Sequence, residues 1–199
     1  NIEVIGNIKL AGEIKTSKEY KKQDSQVIVA GSTHDGEEKA ILEAFVEYRK
    51  KHTAKLIIVP RHPERFDDVY NLINIYTKEN SLSSSRFSQV NTFEEDIVLI
   101  DSMGELNNIY AISDIAIVGG AFEKGIGGHN PLEPAHFGCK IITGKHFHDQ
   151  RELYKYVHHV QYIESDEIYK ALLKTEELPP SMVEETINLQ SVINKIKGA

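Results

Sequence analysis

At 199 residues, with 40% hydrophobic and 27% charged positions, the chain has the makings of one well-filled core, and wholesale disorder is excluded. A formal charge of −7 opposes broad attraction to nucleic acid or an anionic membrane surface, and no apolar run approaches the roughly 18 residues a spanning helix needs. The lone Cys139 has no disulfide partner and no CxxC mate for zinc, which points to a reducing compartment and a buried small residue.

In chain order, residues 1–26 form a linker and the start of a domain: Lys15 to Ser25 is polar, lysine-rich and without a helical stripe. Val27-Ile28-Val29-Ala30 is the first strand. It stops at Gly31-Ser32-Thr33-His34, and a helix follows from about Asp35, with Glu38 placed for a capping box and Ile41, Leu42, Phe45 and Val46 on its buried face. Leu56 to Val59 is a second strand without alternation, so both of its faces should be covered. It runs into Pro60-Arg61-His62-Pro63 and a helix over 64–77.

Asn80 to Ser85 reads as a loop and Arg86 to Asn91 as a weak edge strand. Ile97 to Ile100 is a clear strand, followed by a short helix that Ser102 and Glu105 would cap, reaching about Ile112. Ile115 to Val118 leads into Gly119-Gly120, a polar excursion, Gly127-Gly128 and then Asn130-Pro131-Leu132-Glu133, which looks like a helix start. Lys140 to Thr143 and Val160 to Tyr162 are further strands; 149–157 and 165–174 are helices. A last helix is predicted from Ser181, capped by Glu184, to near Lys197.

Short apolar strands alternating with helices, without hairpin signals, predict an α/β fold: a Rossmann-like parallel sheet with helices on both faces. One domain spans 27–178, and 179–199 supplies a C-terminal helix. In such sheets ligands lie beyond the carboxyl ends of the strands, where the strand order reverses. The polar clusters at 31–34, 60–62, 101–105 and 119–133 all fall there.

A phosphate suits the glycine turn and helix start, with Arg61 supplying a forked cation. Glu133 would accept from the two hydroxyls of a ribose, and Met103 or Leu132 would offer apolar surface to a base. A nucleotide meets all of these demands. Asn130, Pro131 and Glu133 would serve equally as a capping box with no ligand, and spacing alone does not choose. Neither a GxGxxG turn nor a GxxxxGK[ST] loop is present, and no GxSxG elbow supports a hydrolase. His146, His148 and Asp149 read as a solvent-facing loop in preference to metal ligands, and Asp101 as a capping or arginine-pairing acid in preference to a base.

AGSTHDGEE (30–38), VPRHPERF (59–66), DSMGEL (101–106), IVGGAF (117–122) and GGHNPLEPA (127–135) together resemble the C-terminal half of the 3-deoxy-D-manno-octulosonic acid (Kdo) transferases, over about residues 4–155. The resemblance implies the donor-binding half of an inverting GT-B glycosyltransferase that moves Kdo from CMP-Kdo to a lipid A precursor. The setting it implies is the cytoplasmic face of a Gram-negative inner membrane. It places CMP on Pro60, Arg61, Met103, Gly104, Glu105, Leu106, Asn130, Pro131, Leu132 and Glu133. Gly31, Ser32, His62, Gly120, Gly128 and His129 are further candidate donor contacts by their place in the cleft, where His62 and His129 would either donate to a phosphate or carboxylate or stabilise their own turns.

It implies no cofactor, no metal and no catalytic residue within these 199 positions, because the general base and the acceptor and membrane surfaces would belong to an N-terminal domain. The lack of an initiator Met fits a soluble piece of a longer protein. Relatives often carry Phe-Asn-Phe where this chain has Phe147-His148-Asp149, so no donor contact is assigned to that loop. A UDP-sugar enzyme of the same architecture, or a docking module without ligand, are the alternatives.

Overall fold

The computed structural model describes residues 14–184. Its centre is a seven-stranded sheet. The strands are β1 (Gln26–Thr33), β2 (Ala54–Pro60), β3 (Ser84–Arg86), β4 (Ile97–Leu99), β5 (Ile115–Val118), β6 (Lys140–Thr143) and β8 (Val160–Tyr162). All pairings are parallel, in the order β3-β4-β2-β1-β5-β6-β8. Strands β7 (Val157–His158) and β9 (Met182–Val183) form a separate antiparallel pair.

The unalternating apolar strands split cleanly between two layers. Ile28, Ala30, Leu56, Ile58, Leu99 and Ile117 face α1 (Glu37–Arg49), α2 (Phe66–Asn80) and α7 (Ile168–Lys174). Val27, Val29, Ile57, Val59, Val98 and Val118 face α3 (Phe87–Val90), α4 (Leu106–Tyr110), α5 (Leu132–His136) and α6 (Arg151–Tyr154). Neighbouring side chains on a strand point to opposite faces, so a run in which every residue is apolar requires cover on both sides. Val27 to Ala30 are accordingly fully buried. Cys139 is buried too, and its thiol donates weakly to the carbonyls of Tyr110 and Ser113.

Several elements depart from the sequence expectation. The edge strand is Ser84–Arg86, earlier than predicted and mostly inside the predicted loop, and 87–90 is a helical turn: Thr77, in the last turn of α2, meets the Ser84 hydroxyl, and Asp96 binds the Ser83 amide, which pulls 84–86 into line with β4. Residues 181–184 are not helical: the Ser181 hydroxyl donates to the His159 carbonyl and accepts from the Ile141 amide, which sets Met182–Val183 against β7. The remainder of that predicted helix, 185–199, and residues 1–13 lie outside the described residues.

The described part of the predicted linker is attached to the domain. Asn108 Oδ1 accepts from the amides of Ser17 and Lys18, Glu105 takes Lys18 and the Tyr20 hydroxyl, and Tyr20 packs edge-on against Phe87 and Phe93.

Candidate functional site

The chain leaves β4 on one side of the sheet and enters β5 on the other side of β1, so the reversal lies between β1 and β5. At β1's carboxyl end a bulge between Gly31 and Thr33 turns Ser32 to φ 55°, a left-handed conformation that costs a serine about 1 kcal/mol. That strain points Ser32 into a cleft of about 230 Å³, lined also by Arg61, Leu106, Tyr110, His129, Asn130 and Glu133. A second hollow of about 130 Å³ shares Ser32, Arg61 and Leu106 and extends past Pro60 to Ser102, Met103, Gly104 and Glu105. Four strand-end loops thus meet around Arg61.

Arg61 and Glu133 line the same cleft, and the guanidinium's field acts on the carboxylate. Burial pushes the Glu133 carboxyl above its ordinary value, offset by Asn130 and Arg61. Among the described residues Arg61 forms no ion pair, whereas Arg65 is held by Glu38 and Asp35, and Arg86 by Asp67 and Asp101. The guanidinium in the cleft is therefore the one left for a ligand.

Asn130 Oδ1 accepts from the Leu132 amide at 3.0 Å, and its Nδ2 donates to Glu133 Oε1 at 3.0 Å. The N-cap of α5 is Pro131, without a side-chain cap bond, so the expected capping box with Asn130 as N-cap does not form; Asn130 instead ties the Leu132 amide to the Glu133 carboxylate, which lines the cleft. No described protein donor bonds Glu133 Oε2.

Other expected contacts are placed differently. The glycine turn does not offer its amides outward. Glu37, almost fully buried, accepts from Gly120 N at 2.8 Å and 3.0 Å, from His34 N at 2.9 Å and from Phe122 N at 3.4 Å. The protein's own carboxylate occupies the anion nest. Burial raises the Glu37 pKa, and these three amides oppose the rise.

Gly31 is pressed against the Tyr110 hydroxyl, and Gly120 against His129. Gly128 lies on the Phe147 backbone and donates to the Gly120 carbonyl at 2.7 Å. These three glycines permit close packing and do not line the cleft. Pro131 and Leu132 are buried, Leu132 in the core, so the apolar surface for a base is Met103, which is 64% exposed.

Helix α5 has only five residues, so a helix-dipole contribution to anion binding is small. Glu38 does not cap α1 but pairs with Arg65 through both carboxylate oxygens, at 2.7 Å and 3.0 Å. Ser102 and Glu105 make no capping box either: the Ser102 hydroxyl, on the wall of the second hollow, is buried without a partner, and Glu105 binds the leading segment. Burial alone would push the Glu105 carboxyl up, but Lys18, Asn108 and Tyr20 together hold it below its ordinary value.

Asp101 accepts from Ser88 and sits beside Arg86. The 146–149 loop braces the glycine turn through its backbone, with His146 N on the Ala121 carbonyl and Asp149 N on the Gly127 carbonyl.

Sequence reasoning missed Glu37 and His34. The His34 and His129 Nε2 atoms lie 2.7 Å apart with the rings end to end and their planes 8° apart, and His62 meets His34 edge-on. An acid at the start of a helix looks like ordinary dipole complementarity, and only the chain path shows the glycine turn folding onto it.

No protein-family model matches the chain. Among solved structures, the C-terminal CMP-Kdo binding domain of WaaA from Acinetobacter baumannii superposes with a TM-score of 0.67 at 30% identity, covering 78% of this chain and 82% of that one. The chain belongs to the Kdo transferase family. The Haemophilus influenzae 3-deoxy-D-manno-octulosonic acid transferase is 39% identical over 173 residues, which are 80% of this chain and 39% of that protein. A Fusobacterium nucleatum bifunctional glycosyltransferase/methyltransferase is 40% identical over 158 residues, 73% of this chain and 23% of that protein. The chain thus spans well under half the length of these curated relatives, and its fold is that of the C-terminal domain of GT-B glycosyltransferases, as in the WaaA structure.

Proposed function

We propose that this chain is the donor-binding half of a Kdo transferase and that CMP-Kdo lodges where the loops leaving β1, β2, β4 and β5 converge. The observation that carries this reading is that the Arg61 guanidinium, without an ion-pair partner among the described residues, shares one cleft with Glu133. In the proposed pose the phosphate lies on Arg61, whose forked N–H donors match its oxygens. The ribose hydroxyls donate to Glu133, and the base lies along Met103 to Leu106.

In the transfer, the bond from the anomeric carbon to the phosphate oxygen breaks and an acceptor hydroxyl forms the new bond, its proton passing to a base outside this chain. Negative charge grows on the departing CMP phosphate, and a fixed guanidinium stabilises that change. The full-length protein's acceptor, proposed as a lipid A precursor, its inverting stereochemistry and its place at the inner membrane's cytoplasmic face rest on the family resemblance. Among the described residues no helix is long and apolar enough to cross a membrane.

Calorimetric titration with CMP, UMP and UDP tests the reading. CMP is expected to bind more tightly than either uridine nucleotide, and Arg61→Ala and Glu133→Ala are each expected to weaken CMP by about 1–3 kcal/mol with the melting curve retained. A preference for UDP would reject the assignment, and a cleft indifferent to all three would favour a docking module.

A further inference from the structure

On that reading the donor carries two negative groups one carbon apart: the phosphate, and the acid group that an octulosonic acid bears beside its anomeric carbon. The cleft's lining residues include a single permanent cation, Arg61, and an acid, Glu133. A carboxylate brought next to the phosphate therefore needs a second source of positive charge. We propose that His34 and His129, with His62 beside them, form the subsite for the sugar's carboxylate, taking up one proton as it is filled.

The geometry suits that task. With Nε2 facing Nε2 at 2.7 Å, one imidazole donates and the other accepts, so the pair holds one proton in the shared bond. A further proton on the donor ring's remaining nitrogen makes an imidazolium that still donates to its partner. One positive charge is therefore accommodated without breaking the contact, whereas two are not. The rings are nearly parallel, 5.0 Å between centroids. His129 is also pressed on the Gly120 backbone, and His34's amide is tied to Glu37, so neither residue is free to swing. His129 lines the cleft with Arg61, and His62 is exposed, 5.3 Å from His34 ring to ring.

The surrounding charges keep the pair neutral until an anion arrives. From the β2–α2 connection come Arg61, His62 with Glu64 beside it, and Arg65, itself neutralised by Glu38 and Asp35; from α1 come Glu37, spent on three amides, and Glu38; from α5 comes Glu133. Burial, then His34, Arg61 and His62, lower His129 to about 4, and burial, His62 and Arg65 lower His34. A bound carboxylate reverses the sign of the nearest field and favours the protonated pair.

The test compares CMP-Kdo, freshly prepared, with cytidine 5′-methylphosphate, a diester of the same phosphate charge and no acid group. Affinities are measured on the whole chain at about pH 6.5 and about pH 8, on either side of the proton-linked range. The CMP-Kdo affinity is expected to fall by roughly 3- to 10-fold more than that of the methyl ester as pH rises. In His129→Gln, which keeps a hydrogen-bonding group but no titrating ring, this excess pH dependence is expected to vanish.

Equal pH dependence of the two ligands in the wild type, or an excess that persists in the variant, overturns the subsite while leaving nucleotide binding standing. Binding of neither ligand overturns the nucleotide reading and the subsite with it. Should His129→Gln fail to fold, ¹⁵N ring shifts of the wild type decide: CMP-Kdo must shift the His34 and His129 nitrogens toward the imidazolium range, and unshifted rings refute the proposal.

Discussion

Removing the Glu37 carboxylate should unfasten the turn on which the cleft is built. Glu37→Ala leaves three buried amide donors, those of Gly120, His34 and Phe122, without an acceptor. At about 1 kcal/mol each the gross loss is about 3 kcal/mol, and recovery of part of the carboxylate's burial cost leaves about 2 kcal/mol net. Urea denaturation followed by circular dichroism, with an unchanged m-value, measures it; a loss below about 0.5 kcal/mol would show that the amides find other partners and that the carboxylate does not hold the turn.

The pH dependence adds a check of sign. Because burial raises the Glu37 pKa in the folded state, its titration favours folding most below the ordinary glutamate value, and that contribution is lost as pH rises through the raised one. The stability gap between wild type and Glu37→Gln should therefore narrow as pH rises from the ordinary glutamate value through the raised one. A gap that widens would mean that the amides depress the pKa, contrary to the burial argument.

Glu105→Ala should release the leading segment from α4. Trypsin is expected to cleave at Lys18, Lys21 and Lys22 several-fold faster than in the wild type, and an unchanged rate would refute the fastening role of the Lys18 and Tyr20 contacts. Since Glu105 is held below its ordinary pKa, the wild-type segment should loosen only as pH falls through that lowered value, under the ordinary glutamate range. Gly120→Ala adds a Cβ 2.6 Å from His129 Cδ2 at φ 77°, so it should cost more than the roughly 1–2 kcal/mol of left-handed strain and should also shift the His129 ring resonances. Gly125→Ala, at φ 106° with nothing nearby, should cost the strain alone, and equal losses in the two variants would deny the His129 contact its role.

The layered α/β architecture was legible because it depends on local pattern. Val27 to Ala30, Leu56 to Val59 and Ile115 to Val118 are apolar at every position, and only a strand covered on both faces accommodates that. The cluster of polar residues at the strands' carboxyl ends followed from the same alternation, so Arg61, Met103, Asn130 and Glu133 were identifiable as cleft candidates from their place after a strand. What misled was local capping chemistry: the spacings of Asp35 to Glu38 and of Ser102 to Glu105 fit capping boxes, yet Glu38 goes to Arg65 and Glu105 to Lys18 and Tyr20. Both acids have partners far off in the chain, and a buried charged hydrogen bond outweighs a cap.

By itself the sequence determined the central strands and the main helices between them, that both faces of the sheet are covered, and at which edge polar groups collect, because each depends on neighbours a few residues apart. Tertiary structure alone decided what those groups bind. Glu37 could receive the Gly120 and Phe122 amides, 83 and 85 residues away, only after β5 had paired with β1, and that pairing turned a turn open to anions into one already filled. The same folding brought His34 to His129 and, among the described residues, left Arg61 without an ion-pair partner. Long-range contacts set the electrostatics of the cleft because charge acts through space, and nothing in the spacing along a chain records distance across a sheet.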